Sequence, residues 1–473
     1  MSDLKISNVE GGSSFFSTPP WDQNCDDWQE IDARLPEDHL ARQISRVVEG
    51  MNLDFLEHSF CGSGNPPLPP SLMLKLLLYE VQSGCPSPAK WFRDTRECDP
   101  VKWLTFGLQP SRTTCYDFRD RVQGCWDSWN SELLRQAIDE GHLTAERAAQ
   151  DGTLVAANAS RHRLLKQATL DKRAGELDDA IATDEIGQPL EQQPRWMAKN
   201  PETRLGQRER YRQAQERMAE LQAENAERRA CKRQKPEKIV VSPTDPEAAC
   251  GRDKLKVFRP LYNMQVVADL DSSFILAYDT FDHATDVGTL EPMLARTQQF
   301  VGHEPRTMLV DSTYASAQDL KLCEEHGITL YAPVGENDYT ERNGRQPGTN
   351  QFTGLPKTKF VWNKDKQVYL CPTGHEMRHE RTQHVKRSGG RELTSDLYRC
   401  SPEHCRICPL APACTPNPDK GRTVSRLQNE ELVEALRERM QTPEGKALYP
   451  ILFGTSFATQ RPRNLIADRD QIE

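Results

Sequence analysis

The chain has 473 residues, which is long enough for two or three domains. Hydrophobic residues make up only 36% and the mean hydropathy is −0.74, with no apolar run long enough to span a membrane and no signal-peptide order at the N-terminus. We therefore expect a cytoplasmic protein. The net charge of −9 counts against a nucleic-acid partner, although residues 204–238 and 378–391 are locally basic.

The N-terminal third of the chain predicts a helical domain. Residues 1–30 lack periodicity and are expected to be poorly ordered, whereas residues 31–140 show apolar spacing typical of short helices. One helix is expected to be capped by Ser71, and residues 111–121 form another with several arginines. Short helices with arginine-bearing N-termini suit a helix-turn-helix mode of DNA binding, but any small helical bundle gives the same pattern.

The middle of the chain alternates between strands and helices. Residues 161–238 are helical and strongly charged, with too few apolar residues for a full stripe, which indicates a solvated insertion formed by one extended helix or a helical hairpin. Those sparse apolar residues are Leu205, Tyr211, Met218 and Leu221. Strand patterns follow at 238–241, 262–268 and 273–278, then helix 289–300, a strand ending at Asp311, helix 317–326 and strand 329–333. This order predicts a mixed α/β sheet with covering helices.

Two aspartates stand at the ends of apolar strand patterns. Asp151 opens the run at residues 151–160, and Asp311 closes the run that begins at Thr307. An aspartate beside a strand is often only a turn former or a helix cap. Two carboxylates held rigidly at strand ends can also hold Mg²⁺ ions for displacement at phosphorus, and we expect a metal site here.

Cysteines are concentrated after residue 370. The pair Cys405 and Cys408 has the C-x2-C spacing of a zinc knuckle, and Cys371 and Cys414 complete a four-thiolate set. Cys400, His404 and His375 are alternative ligands. The other interpretation is a set of unrelated free thiols, but exposed thiols in polar sequence would be prone to oxidation. We therefore expect a structural Zn²⁺ in residues 360–420.

Three motifs together carry a family resemblance. They are Asp151-Gly152-Thr153, Val310-Asp311-Ser312-Thr313-Tyr314 and Tyr262-Asn263-Met264-Gln265. The chain resembles the DDE transposases of bacterial insertion sequences, in the group with an N-terminal helical domain and a late Cys-rich segment.

The resemblance implies a ribonuclease H-like core over residues 145–335, with the helical insertion at 161–238 and a zinc-ribbon-like insertion later. It also implies that Asp151 and Asp311 ligate Mg²⁺ or Mn²⁺ for DNA strand cleavage and transfer. The partners would be terminal inverted repeats and target DNA, bound by a homo-oligomer. Asn263 and Gln265 would lie near the metal site, unless they are plain hydrogen-bonding residues. Thr244-Asp245-Pro246 also matches a family motif, although its chemistry alone favours a turn.

The third acid of the family does not follow. It is expected on the C-terminal helical part, 421–449, in a Tyr-x2-Arg-x3-Glu pattern that begins at Tyr449, but Leu452 and Ser456 stand at the Arg and Glu positions and Pro450 would interrupt the helix. Residues 450–473 do not align with the family, so we expect a frameshifted or truncated C-terminus. Other acids could substitute, although their spacing does not support it; these are Glu444, Asp468, Asp470 and Glu473.

The sequence therefore predicts a transposase impaired by loss of its third catalytic acid. The alternative is a non-catalytic DNA-binding remnant that binds element ends without cutting them. A third possibility is a metal-dependent nuclease on the same core, which would cleave DNA without joining it.

Overall fold

The computed structural model describes residues 15–60, 66–188, 190, 193–228, 230, 233–333, 354–355, 357–386 and 392–448. The chain divides into two compact units, Met1–Leu133 and Leu134–Glu473. In the described residues, no helix is long and apolar enough to cross a membrane.

The first unit is helical, as expected. Its helices are α1 (Asp26–Arg34), α2 (Leu40–Gly50), α3 (Asp54–His58), α4 (Pro70–Gln82), α5 (Pro88–Glu97), α6 (Asp99–Leu104), α7 (Arg112–Val122) and the start of α8 (Trp126–Asp139). Leu74 and Leu76 of α4 are fully buried, with Trp91, Val101 and Phe118 in the same core. Helix α4 is therefore the central helix of this unit.

Two N-terminal expectations differ from the structure. Helix α1 begins at Asp26, inside the segment expected to be poorly ordered, because Trp28 and Ile31 are buried in the core. Helix α4 begins at Pro70 and has no side-chain cap from Ser71. The helix starts one residue before Ser71, and Pro69 stands at the capping position, so the Ser71 side chain lies too far into the helix to cap it. Residues 1–14 lie outside the described residues.

The second unit contains a mixed sheet. Its strands are β1 (Arg147–Ala156), β2 (Ala249–Arg252), β3 (Phe258–Asp269), β4 (Ile275–Phe281), β5 (Thr307–Leu309) and β6 (Thr329–Tyr331). The order is β2-β3-β1-β5-β6, and β4 also pairs with β3. Strands β1, β5 and β6 are parallel, whereas β3 is antiparallel to its neighbours. The predicted hairpin and mixed sheet are confirmed.

The two faces of this sheet have different neighbours. On the α11 face, Ala148, Met308 and Val310 pack in one core with Met293 and Leu294 of α11 (Leu290–Val301). This core also includes residues of α12 (Ala317–Glu325). On the opposite face, which we call the Leu448 face, a second cluster contains Ala149, Leu309, Tyr331 and Leu448.

The charged insertion is a helical hairpin with its own core. Helices α9 (Gln167–Glu185) and α10 (Pro201–Glu227) bury Leu170 and Leu177 against Tyr211 and Met218. Of the two expected forms, the hairpin is the one observed, and it has a core because small residues such as Ala174, Ala180 and Ala214 let two sparse apolar stripes pack against each other. Leu205 is exposed, as expected of a solvated insertion.

Residues 238–241 do not form the expected strand. A 3₁₀ turn covers Pro236–Lys238, and Val241 makes only an isolated bridge with Leu165. Ile239 and Val241 are instead buried in the core of the helical hairpin, so their apolar character serves helix packing.

A second, antiparallel sheet holds the cysteine segment. It runs β11-β10-β9-β8-β7, formed by β7 (Val361–Asn363), β8 (Val368–Leu370), β9 (Glu376–Lys386), β10 (Glu392–Cys400) and β11 (Thr423–Leu427). The short helices α13 (Pro402–Ile407) and α14 (Ala411–Cys414) lie between β10 and β11. Strand β11 differs from the helical expectation for 421–449, since it pairs with β10. Helix α15 (Glu430–Gln441) and a helical turn at 443–448 follow.

Candidate functional site

The backbone register relates the two predicted acids. Ala149 of β1 pairs with Leu309 of β5 in parallel register, and Asp151 and Asp311 each lie two residues further along. The chain stays extended through Asp311, which has φ −72° and ψ 164°. Because side chains alternate across a strand, the register places both acids on the side of the sheet that carries Ala149 and Leu309.

Each acid is held by its own backbone. Oδ1 of Asp151 accepts from the Gly152 amide at 2.8 Å, and Oδ1 of Asp311 accepts from the Ser312 amide. Asp151 is half-buried and Asp311 is exposed. Strand β5 ends at Leu309, so Asp311 caps the 3₁₀ turn Ser312–Tyr314, the role that an aspartate beside a strand most often has.

A polar network lies behind β1, on the α11 face. The Gln265 amide nitrogen donates to Oδ1 of Asp286 at 2.8 Å and to Oδ1 of Asn263 at 3.0 Å. Its oxygen accepts from Tyr314 at 2.7 Å and from Gln150 at 3.0 Å. Asn263 donates to the same Asp286 oxygen at 3.1 Å. Asn263 and Gln265 are therefore engaged within the protein.

Sequence reasoning missed Asp286 and Gln150. Asp286 is half-buried in the segment between β4 and α11, where its spacing suggests only a turn or a helix cap. The nearest signal was the pair Asn263 and Gln265, which lie on one face of β3 at a spacing of two and predict a shared polar partner.

Asp245 also has a partner inside the protein. The Tyr262 hydroxyl donates to Oδ1 of Asp245 at 2.6 Å. Burial, together with this carboxylate, raises the pKa of Tyr262, so its hydroxyl stays protonated and remains a donor. The Thr244-Asp245-Pro246 motif thus fixes the segment before β2 against β3.

The last described residues approach the sheet on the Leu448 face. Leu448 packs in one cluster with Ala149 and Leu309, which precede the two acids by two residues. Glu444, a possible substitute for the third acid, is hydrogen-bonded to the Tyr331 hydroxyl, whose pKa is raised by burial and by this bond. Tyr449, Pro450, Leu452, Ser456 and the other candidate acids lie outside the described residues.

The predicted zinc ligands meet around one cavity of about 20 Å³ in the second unit. Its lining includes Cys371, Cys400, Cys405, Cys408, Cys414, His375 and His404. The two histidine rings are stacked with centroids 3.9 Å apart. Burial, followed by the neighbouring Cys405 and Cys371, raises the pKa of Cys400 to about 12. The structure thus brings the four predicted cysteines together with the three alternative ligands, Cys400, His375 and His404.

Two family models match the chain. A transposase domain (DUF772) matches residues 29–121, and a transposase DDE domain matches residues 370–451. These matches support an insertion-sequence DDE transposase. No curated protein and no solved structure matches the chain. The resemblance found in the sequence is therefore confirmed.

The two transposase matches cover different parts of the chain. The first covers helices α1 to α7, and the second covers the cysteine cluster and Leu448, whereas Asp151 and Asp311 lie outside both. The family implies that a divalent metal ion is used and that DNA is a partner.

One tight group of metal-ligating side chains occurs among the described residues. Glu80, Cys85 and Asp94 of the first unit have ligand atoms within 4.8 Å of one another. Glu80 is 2% exposed, and burial followed by Asp94 raises its pKa to about 7. A proton shared between Glu80 and Asp94 accounts for their approach without a metal.

Proposed function

We propose that the chain is a transposase polypeptide whose sheet in the second unit is a ribonuclease H-like core with Asp151 and Asp311 as its metal-binding acids. The observation that carries this proposal is the parallel register of β1 and β5, which gives the two acids matching positions on neighbouring strands. The order of the strands supports it, because an antiparallel hairpin, β3 and β4, lies on one side of β1 and the parallel strands β5 and β6 on the other.

The acid pair suits a hard divalent cation such as Mg²⁺ or Mn²⁺. Carboxylate oxygens are the ligands that these ions prefer, and Asp311 is exposed enough to reach both a metal ion and a DNA phosphate. A metal ion held there would activate water and stabilise charge on the attacking and leaving oxygens of a phosphodiester. Asp151 and Asp311 alone form an incomplete set of ligands, because Ser456 stands where the family has its third acid.

The cysteine cluster suits Zn²⁺ by its chemistry. Sulfur and imidazole are the usual donors to structural zinc, and a cavity of about 20 Å³ can hold one small ion. We propose Cys371, Cys405, Cys408 and Cys414 as the ligands, because Cys405 and Cys408 supply the knuckle.

For DNA binding, we propose the exposed side of α7. Ser111 caps this helix by accepting from the Thr114 amide at 3.0 Å, and the guanidinium groups of Arg112 and Arg119 both lie over the Tyr116 ring. Such a face presents Arg112, an aromatic ring and Arg119, which is also ion-paired with Asp120, from one rigid helix, and this arrangement suits docking in a DNA groove.

The basic run on α10 is less suited to this role. Four of its arginines are ion-paired with carboxylates: Arg204, Arg208, Arg212 and Arg217. The positive charge of these four arginines is therefore neutralised by nearby carboxylates, one of which, Asp282, lies outside the hairpin.

The competing function is DNA binding without cleavage, which the serine at position 456 favours. An assay on DNA fragments carrying the inverted repeats that flank the coding sequence separates the two. We expect a gel shift with this DNA but little or no cutting in Mg²⁺ or Mn²⁺. Robust cutting that Asp151→Ala abolishes would show that another acid completes the site, and cutting without joining would indicate a nuclease.

A further inference from the structure

Asp286 is the acceptor at the centre of the network behind β1. Its Oδ1 accepts from the amides of Gln265 and Asn263, at 2.8 and 3.1 Å. Its backbone oxygen accepts from the Thr289 hydroxyl at 2.8 Å, and this hydroxyl in turn accepts from Gln150 at 3.1 Å. Asp286 is thus tied to both β1 and β3.

Asp286 does not serve as a helix cap. Helix α11 begins after Thr289, and that end has no side-chain cap hydrogen bond. The carboxylate is directed at two strand amides instead. Since a carboxylate only accepts hydrogen bonds, it forces Gln265 to present its nitrogen to Asp286. The Gln265 oxygen must then face Gln150 and Tyr314, as observed.

The network lies against the backbone of the strand that carries Asp151. Gln150 and Gly152 flank Asp151 and face the network, and a β-carbon on Gly152 would overlap the Gln265 amide and lie 2.6 Å from Asp286 Oδ1. Gln150, Asn263 and Gln265 are completely buried, so this contact cannot relax into solvent. Burial, followed by the Asp286 charge, raises the pKa of Tyr314, so its hydroxyl remains a donor to Gln265.

We propose that Asp286 is a positioning residue for Asp151. It fixes the Gln265 side chain, which in turn fixes the position and direction of the β1 backbone at the point where Asp151 projects from the other face of the sheet. The inference rests on the proposed metal site at Asp151 and Asp311. Loss of a group hydrogen-bonded directly to a metal ligand commonly weakens metal affinity by about 10- to 100-fold, and because Asp286 acts through Gln265 and the β1 backbone, the lower end of this range is expected.

The test measures Mn²⁺ binding to the full chain by electron paramagnetic resonance, with thermal unfolding recorded for every variant. Asp286→Ala removes the acceptor, and Gln265→Glu puts two carboxylates at hydrogen-bonding distance. We expect each to weaken Asp151-dependent Mn²⁺ binding by about 10-fold or more. The double variant Gln265→Glu with Asp286→Asn exchanges the acid and the amide, so it should recover most of the affinity.

The matched control is Asp253→Ala at the β2–β3 end of the sheet. The Asp253 carboxylate is likewise engaged within the protein, because it accepts from the Val257 amide and pairs with Arg259. This variant should leave Mn²⁺ affinity unchanged. If Asp151→Ala binds Mn²⁺ as tightly as the parent chain, the proposed metal site is wrong, and this inference is wrong with it. If Asp151→Ala does reduce binding but Asp286→Ala binds like the parent, or the exchange variant binds no better than Gln265→Glu, only the role of Asp286 is overturned.

Discussion

The Gln265 amide donates to the Asp286 carboxylate across 2.8 Å, directly behind the backbone of Gly152. This relationship explains why glycine follows the first acid in the Asp-Gly-Thr motif. The constraint is close approach, because any side chain at residue 152 would occupy the space of a buried and fully engaged amide.

We therefore expect Gly152→Ala to lower the free energy of unfolding by about 1–3 kcal/mol, as overpacking of a buried site usually does. Urea denaturation followed by circular dichroism measures it. The matched control is Gly175→Ala in α9, where nothing lies within 4 Å of an added β-carbon. That change should stabilise by about 0.5–1 kcal/mol through helix propensity. If Gly152→Ala is as stable as the parent, the Gln265 side chain can move aside to make room for the added methyl group.

A second prediction concerns the pH dependence of the first unit. The pKa of Glu80 is raised from 4.5 to about 7 by burial and then by Asp94, against the opposing charges of Arg93 and Lys90. Because the folded-state pKa lies above the unfolded one, the stabilisation is fully present below pH 4.5 and is lost as the pH rises through 7. At 1.36 kcal/mol per pKa unit, the change is at most about 3 kcal/mol.

Glu80→Gln should show a smaller decrease in stability as the pH rises, and it should be more stable than the parent at pH 8. The reason is that the amide keeps a donor for Asp94 without carrying a charge. Urea denaturation between pH 5 and 8, followed by tryptophan fluorescence, measures it. Glu37→Gln, at a side chain that is 89% exposed, is the control and should keep the parent's pH profile. A parent whose stability is constant between pH 5 and 8 would contradict the prediction.

The β3–β4 hairpin and the alternating helices and strands after it could be predicted from sequence because they depend on local patterns. The apolar runs at 262–268 and 273–278 and the alternation up to residue 333 describe the sheet directly. Strand β11 could not be predicted, because its five residues are stabilised by pairing with β10 rather than by local preference. Residues 423–427 are strand only in that context.

Contacts between distant residues account for the rest of what the sequence did not reveal. Asp286 contacts Gln265 only once β4 is paired with β3, and Arg204 contacts Asp184 only once α9 and α10 are packed together. Neither partner lies at a spacing that predicts contact within a helix or strand. The sequence already made Cys400 an alternative zinc ligand, but its place beside the other thiols depends on where β10 ends.

The hairpin contact gives a third prediction. Arg204 is 4% exposed, forms an ion pair with Asp184, and donates to the backbone oxygens of Ala198 and Lys199 at 3.1 and 2.9 Å. Asp184→Ala would leave a buried cation unpaired and should destabilise the hairpin by about 3–5 kcal/mol. Hydrogen exchange over residues 167–227 measures it. Glu209→Ala, which breaks an ion pair on the exposed side of α10, is the control and should leave hydrogen exchange of the hairpin close to that of the parent.

A fourth prediction tests α7 as the DNA-binding helix. Arg112→Gln and Arg119→Gln should each weaken binding to DNA ends and lower the slope of log affinity against log salt by about one, as expected for a lost phosphate contact. Arg46→Gln, at an exposed arginine of α2, is the control and should change neither quantity. If all three variants bind like the parent at every salt concentration, α7 is not the docking surface.

The last prediction concerns the cysteine cluster. We expect purified chain to carry about one equivalent of zinc, and a serine at any of Cys371, Cys405, Cys408 or Cys414 should remove most of it, because three remaining thiolates do not close a structural site. Cys400→Ser should keep the metal. Cys250→Ser, at a half-buried thiol on β2, is the control for removal of a thiol alone. Chelation should lower the unfolding temperature of the parent, since zinc binding contributes to folding. Metal analysis of the five cluster variants decides the ligand set. If Cys400→Ser loses zinc while one of the other four variants keeps it, Cys400 is a ligand in place of that cysteine. A parent chain without zinc would mean that the thiols are unrelated.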